Sequence, residues 1–101
     1  VVLAFDGDVP VGLVNCIEGF STFACKPLLN IHDLAVVKSH RGQGIGRKLL
    51  EYVAEMAKGM GCCKVTLEVL EINVGAYALY KSCGFAQPEK GNTMYMQKKI
   101  T

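Results

Sequence analysis

Arg41-Gly42-Gln43-Gly44-Ile45-Gly46 is the stretch on which the reading of this chain turns. Before it runs Leu29 to Val37, an apolar strand carrying His32 and Asp33 among Ile31, Leu34, Val36 and Val37. After it, Ile45, Leu49, Leu50, Val53, Met56, Ala57 and Met60 form one stripe at helical spacing, with Arg47, Lys48, Glu51, Glu55 and Lys58 opposite. A loop between strand and helix holds the unsatisfied N–H donors of the helix start, and the positive end of the helix dipole lies there too. Together they make an anion site. Three glycines in six residues keep side chains from blocking a phosphate, while Arg41 and Arg47 add charge. A pyrophosphate is the natural guest.

Several nucleotide folds use this device, and the spacing separates them. A P-loop needs Gly-Lys-Ser/Thr, whereas here Gly46 is followed by Arg47-Lys48, with no hydroxyl for magnesium. A dinucleotide fingerprint needs a third glycine where Arg47 stands, and a second parallel strand ending in an acidic residue about twenty positions on. Both fail on named residues. The remaining alternative is a glycine-rich connection without a ligand.

Outward from the loop, Val1 to Phe5 predicts a strand, Asp6-Gly7-Asp8 a turn, and Val11 to Ile17 the returning strand, with Val14 and Cys16 on one face and Leu13 and Asn15 on the other. Gly19 to Pro27 is loop-like, Pro27 arguing against a strand. Gly59 and Gly61 end the long helix, and Cys63 to Leu70 alternates as a strand. A short helix from about Val74 to Ser82 ends at Gly84; Phe85-Ala86 opens a further strand and Thr93 to Ile100 supplies the last. The order is β-β-β-α-β-α-β-β, an α/β domain with a mixed sheet.

At 101 residues and half apolar, the chain fits one packed domain, spanning 1–101, whose small core a partner chain would help stabilise. A net charge of +2 with no Lys/Arg run gives no sign of nucleic acid. Five cysteines, an odd number without a CxxC spacing, argue against disulfides and against a zinc site, and read as reduced core residues of a cytoplasmic protein. No apolar run approaches the ~18 residues that span a bilayer, so no membrane partner is expected.

Arg41-x-x-Gly44-x-Gly46 after the strand Asp33 to Val37 resembles the Arg/Gln-x-x-Gly-x-Gly/Ala motif of the Gcn5-related N-acetyltransferase (GNAT) superfamily. Asn73 just past a strand, and Ala78-Leu79-Tyr80-Lys81-Ser82-Cys83-Gly84-Phe85, resemble that family's second block, in family order and separation. The resemblance covers roughly Leu3 to Ile100 and implies a mixed, mostly antiparallel sheet with splayed central strands flanked by helices. It further implies an enzyme that transfers the acetyl group of acetyl-CoA to a primary amine by direct attack. Pantetheine would pair with the main chain of Leu34 and Val36, Ala35 lying between them. The same N–H groups would polarise the thioester carbonyl. Arg41, Gly42, Gln43, Gly44, Ile45 and Gly46 would hold the pyrophosphate with Arg47 beside them, and Asn73 would bond the pantetheine arm. Tyr80 would face the sulfur and protonate the departing thiolate. For the proton of the amine, His32, on Leu34's side of the pleat, Asp33, on the other, and Glu68 are candidates, with water equally open. Tyr77 and Cys83 are read as packing residues.

Full-length relatives usually begin with a strand and two helices, and this chain starts at what looks like their second strand. Those elements are then lost, or supplied by another chain, for instance in a homodimer completed by strand exchange. Small-molecule and protein amines are both open as acceptor, its pocket bordered by Gly19 to Asn30. A CoA-binding module without catalysis of its own is the second reading. A nucleic-acid-binding domain ranks below both, because the four Phe and four Tyr are dispersed rather than gathered into platforms.

Overall fold

Gly7 is the residue that lets the first hairpin close. It adopts φ +62°, and with Asp8 it joins β1 (Val2–Asp6) to β2 (Val9–Ser21). The computed structural model describes residues 1–22, 24–70, 73–86 and 93–100. β2 continues into β3 (Lys26–Val36) as a long hairpin paired up to Phe20↔Pro27 and Ser21↔Lys26. Gly19 to Ser21 and Lys26 to Pro27 are therefore strand, not loop. Pro27 is accommodated because its carbonyl, accepting from the Cys63 N–H at 2.9 Å, faces away from β2. The donor it lacks falls on that same edge, short of the first pair with the next strand.

A short 3-10 turn (Lys38–His40) and the glycine loop lead to α1 (Ile45–Gly59). Leu49, Leu50, Val53 and Ala57 bury its apolar stripe, whereas Met60, just past the end, is exposed. Gly61, at φ +75°, turns the chain into β4 (Lys64–Leu70), which lies parallel to β3. Then come α2 (Val74–Ser82), closed by Gly84 at φ +91°, and β5 (Thr93–Lys99), antiparallel to β4. Ala86 makes a single bridge to Gln97 rather than opening a strand, and the positions after it, 87–92, lie outside the described residues.

The sheet order is β1-β2-β3-β4-β5, with one parallel pair. Val14, Leu29, Ile31, Val65, Leu67 and Met96 share a core cluster with Leu50 and Val53 of α1 and Tyr80 of α2. Both helices thus cover one face of the sheet, and no helix among the described residues covers the other. Cutting Leu50 (2% exposed) to alanine costs about 3 kcal/mol, a large part of what holds a domain of this size together.

Two irregularities position the site. β3 and β4 pair only from Leu29↔Val65 to Ile31↔Leu67, though β3 runs on to Val36 and β4 to Leu70, so the strands part after Ile31. At that point Asn15 pairs with Asp33 and Cys16 with Ile31, leaving His32 as an extra residue on β3. The bulge changes the phase of the pleat. Leu29, Ile31, Leu34 and Val36 all pack on the helix side, while His32 joins Asp33 on the other. The expectation that His32 shares Leu34's side is corrected by this extra residue.

Candidate active site

The edge of β3 exposed by the parting strands offers main-chain groups of known direction. The Val37 N–H donates to the Val11 carbonyl at 2.8 Å, so Val37, Ala35 and Asp33 turn their N–H and C=O toward β2. Leu34 and Val36, between them, turn theirs to the opposite edge, where β4 has already departed. Arg41 occupies one of these groups, its Nε donating to the Val36 carbonyl at 3.0 Å. Among the described residues, the Leu34 N–H and C=O and the Val36 N–H are left for a ligand that runs along the strand.

The loop below that edge has the donors its sequence calls for. Gly42 and Gly44 take φ +78° and +81°, and Gly44 caps α1 without a side-chain hydrogen bond. Among the described residues, the N–H groups of Gly42 through Arg47 have no acceptor, the first helical bond being Lys48 N–H to the Gly44 carbonyl at 3.1 Å. A Cβ built on Gly42 or Gly44 would meet nothing within 4 Å, which is the open space a phosphate group requires. Gly46 is constrained differently. Its Cβ would lie 3.0 Å from Leu79 Cδ2, so α1 starts hard against α2. Arg47 spans the same junction, donating from Nη2 to Ser82 Oγ at 2.7 Å.

α2 forms the far wall. Asn73 caps it, Oδ1 accepting from the Ala76 N–H at 3.2 Å, which leaves its amide NH2 toward the cleft. The Tyr80 ring is buried, edge-on to Phe85 with 6.0 Å between centroids. Burial pushes its phenol pKa up, so the hydroxyl stays protonated and able to donate. Burial likewise pushes up the Cys16 and Cys62 thiols, as befits core cysteines; all five cysteines are free.

One cleft of about 660 Å³, within the range of small-molecule sites, is lined by Leu34, Ala35, Val36, Arg41, Gly42, Gly44, Ile45, Gly46, Arg47, Asn73 and Tyr80. The Gln43 side chain is not in it: it reaches the Ser39 carbonyl at 3.5 Å and lines a groove between β1 and α1. His32 lies outside it too, in a small polar hollow with Asn30 and Glu68 on the helix-free face, and Asp33 is exposed opposite Asn15. His40, Gly75 and Ala76 also line the cleft without having been singled out in the sequence, beside Leu79 of the Ala78 to Phe85 block. For Ala76 the signal was present, since it shares one helix face with Leu79 and Tyr80 at i, i+3 and i+4.

This arrangement can receive an extended anionic ligand, phosphates on the loop and a polar arm along β3, with a neutral phenol at the far end. Known proteins resemble this chain in sequence and in fold. The model of the acetyltransferase (GNAT) family matches residues 1–85. Streptothricin acetyltransferase of Streptomyces lavendulae is 37% identical over 77% of this chain and 43% of its own length. The crystal structure of PH1933 from Pyrococcus horikoshii superposes with a TM-score of 0.82 at 34% identity, over 98% of this chain and 64% of that one. Naa50 of Arabidopsis thaliana, solved with the bisubstrate analogue CoA-Ac-MVNAL, gives 0.82 at 27% identity over 95% and 70%. The chain spans 32–43% of the length of the first curated relatives it matches. With most of its residues inside the family match and the family's loop at the head of α1, this chain belongs to the acetyltransferase (GNAT) family.

Proposed function

We propose that this chain carries acetyl-CoA in the cleft and transfers its acetyl group to a primary amine in a ternary complex. The observation that carries the reading is that one cleft joins the open N–H groups at the head of α1, the free edge of β3 and the phenol of Tyr80. The diphosphate is bound at Gly42 to Arg47, and the pantetheine arm runs along Leu34 and Val36 with Asn73 at its side. The relatives' names point to amines: one acts on streptothricin, and others on the ε-nitrogen of thialysine. Transfer is therefore favoured over binding alone.

The steps balance as follows. An ammonium acceptor first gives one proton to a base and then attacks the thioester carbonyl as a neutral amine. A main-chain N–H of the β3 edge stabilises the oxyanion. The C–S bond breaks, the thiolate takes the Tyr80 proton, and Tyr80 recovers one from the nitrogen that has become an amide. His32 and Asp33 stand on the helix-free face, where the acceptor would approach through the gap between β3 and β4. No enzyme-bound acyl group is required.

Thiol release from acetyl-CoA, measured with a panel of primary amines, tests the proposal. Turnover with at least one amine is expected, together with CoA binding by calorimetry. CoA binding without turnover on any amine would reduce the chain to a binding module.

A further inference from the structure

The polar hollow on the helix-free face has an internal order that fixes the chemistry of His32. Thr66 is 3% exposed, so its hydroxyl must find a partner inside the protein. It finds Asn30, the residue paired with it across the β3–β4 ladder, whose Nδ2 donates to Thr66 Oγ1 at 2.8 Å. With the NH2 side of the amide so engaged, Oδ1 is the atom turned toward His32, 3.1 Å from Nδ1. A carbonyl oxygen only accepts. With Oδ1 so placed, the matching neutral tautomer carries its proton on Nδ1, which leaves the Nε2 lone pair free.

We propose that Asn30, braced by Thr66, is a positioning residue that holds His32 with Nε2 as the proton acceptor for the incoming amine. This inference rests on the acetyl-transfer reading. His32 is the bulged residue where β3 and β4 part, two positions before Leu34 and so roughly 7 Å along the strand from the main-chain groups that would meet the thioester. A water relay would carry the proton over that distance. The ammonium loses a proton to Nε2, His32 becomes the imidazolium with Nδ1–H still on Asn30, and solvent on the exposed side removes the proton. Of the charged groups nearby, Glu68 of β4 lines the same hollow and Asp33 follows on β3. From β2, Asn15 and Ile17 bring no charge, and the Lys64 ammonium is held by Gln97 of β5 at 3.4 Å.

Nitrogen-15 NMR of the imidazoles reads the tautomer without any catalysis. In the wild-type chain, neutral His32 is expected to carry its proton on Nδ1, and in Asn30→Leu to shift toward Nε2–H. Acetyl transfer by Asn30→Leu should fall by about tenfold in kcat with the KM for acetyl-CoA within about twofold. His32→Gln, an exposed change that leaves the fold alone, should remove the acid limb of the rate profile, and adding Asn30→Leu to it should cost nothing more. Thr66→Ser, which keeps the hydroxyl, should behave as wild type, and Thr66→Val as Asn30→Leu. Nε2–H in the wild type, or an acid limb that survives His32→Gln, overturns the inference while leaving acetyl transfer intact. A wild-type chain that binds CoA yet acetylates no amine overturns the acetyl-transfer reading, and this one with it.

Discussion

Two helices start at the same cleft and treat their first turn in opposite ways. α2 closes one of its own donors: Asn73 folds its side chain onto the Ala76 N–H at 3.2 Å. α1 begins at Gly44, which has no side chain to offer, and its first turn contains no acidic residue. The donor that α2 closes with a side chain, the N–H of its third residue, is left open in α1, where it belongs to Arg47, with Arg41 just before the helix. A glycine cap weakens α1 only slightly in itself, but it hands the positive helix end to whatever anion enters the cleft. On the acetyl-transfer reading the difference divides the labour, with α1 binding the diphosphate and α2 supplying the wall that carries Tyr80.

The most damaging way to break the comparison is to give α1 a cap of its own. Gly44→Asp places a carboxylate on the open N–H groups and a side chain at φ +81°. CoA affinity should fall by about a hundredfold or more, about 2.7 kcal/mol, in calorimetry. Unchanged affinity would mean that the loop does not hold the phosphates. Next in size is Tyr80→Phe. Turnover should drop by about ten- to a hundredfold while CoA affinity stays within about twofold, because in the proposed mechanism the hydroxyl serves the leaving thiolate and not the bound donor. The same substitution has a signature in stability. Burial raises the Tyr80 pKa, so the folded state keeps a proton that the unfolded chain releases near pH 10. The stability tied to that proton is complete below about pH 10 and lost as pH rises through the folded value. Alkaline melting should therefore be less steep in Tyr80→Phe than in wild type.

What could be read without coordinates follows the same division. The α1 loop was legible because glycines, arginines and a helical stripe are all local signals. So was the alternation of Val65, Leu67 and Val69, which face one core. The hairpin end at Gly19 to Pro27 was not. Proline argues against strands unless its missing donor falls where no ladder bond needs it, and that place is set by the approach of Cys63, far along the chain. The bulge at His32 was hidden for a similar reason. It is a mismatch between two strands, and a period-2 reading of β3 alone has no place for an extra residue. The Asn30–Thr66 bond joins residues 36 apart, a distance no local pattern bridges.

The smallest expected effect separates wall from anion site most cleanly. Asn73→Ala removes the α2 cap and should destabilise the chain by about 1 kcal/mol, lowering Tm by about 4–8 °C. If the diphosphate donors lie on α1, as proposed, the loss should appear in melting far more than in CoA affinity, with only the proposed bond from the Asn73 amide to the pantetheine arm missing. Asn73→Asp sharpens the test, since a carboxylate caps as well as an amide but cannot donate. Stability should return in that variant while CoA affinity stays at the alanine level. If affinity returned with stability, Asn73 would act on the ligand only by holding α2 in place, and its amide would have no contact of its own with the bound cosubstrate.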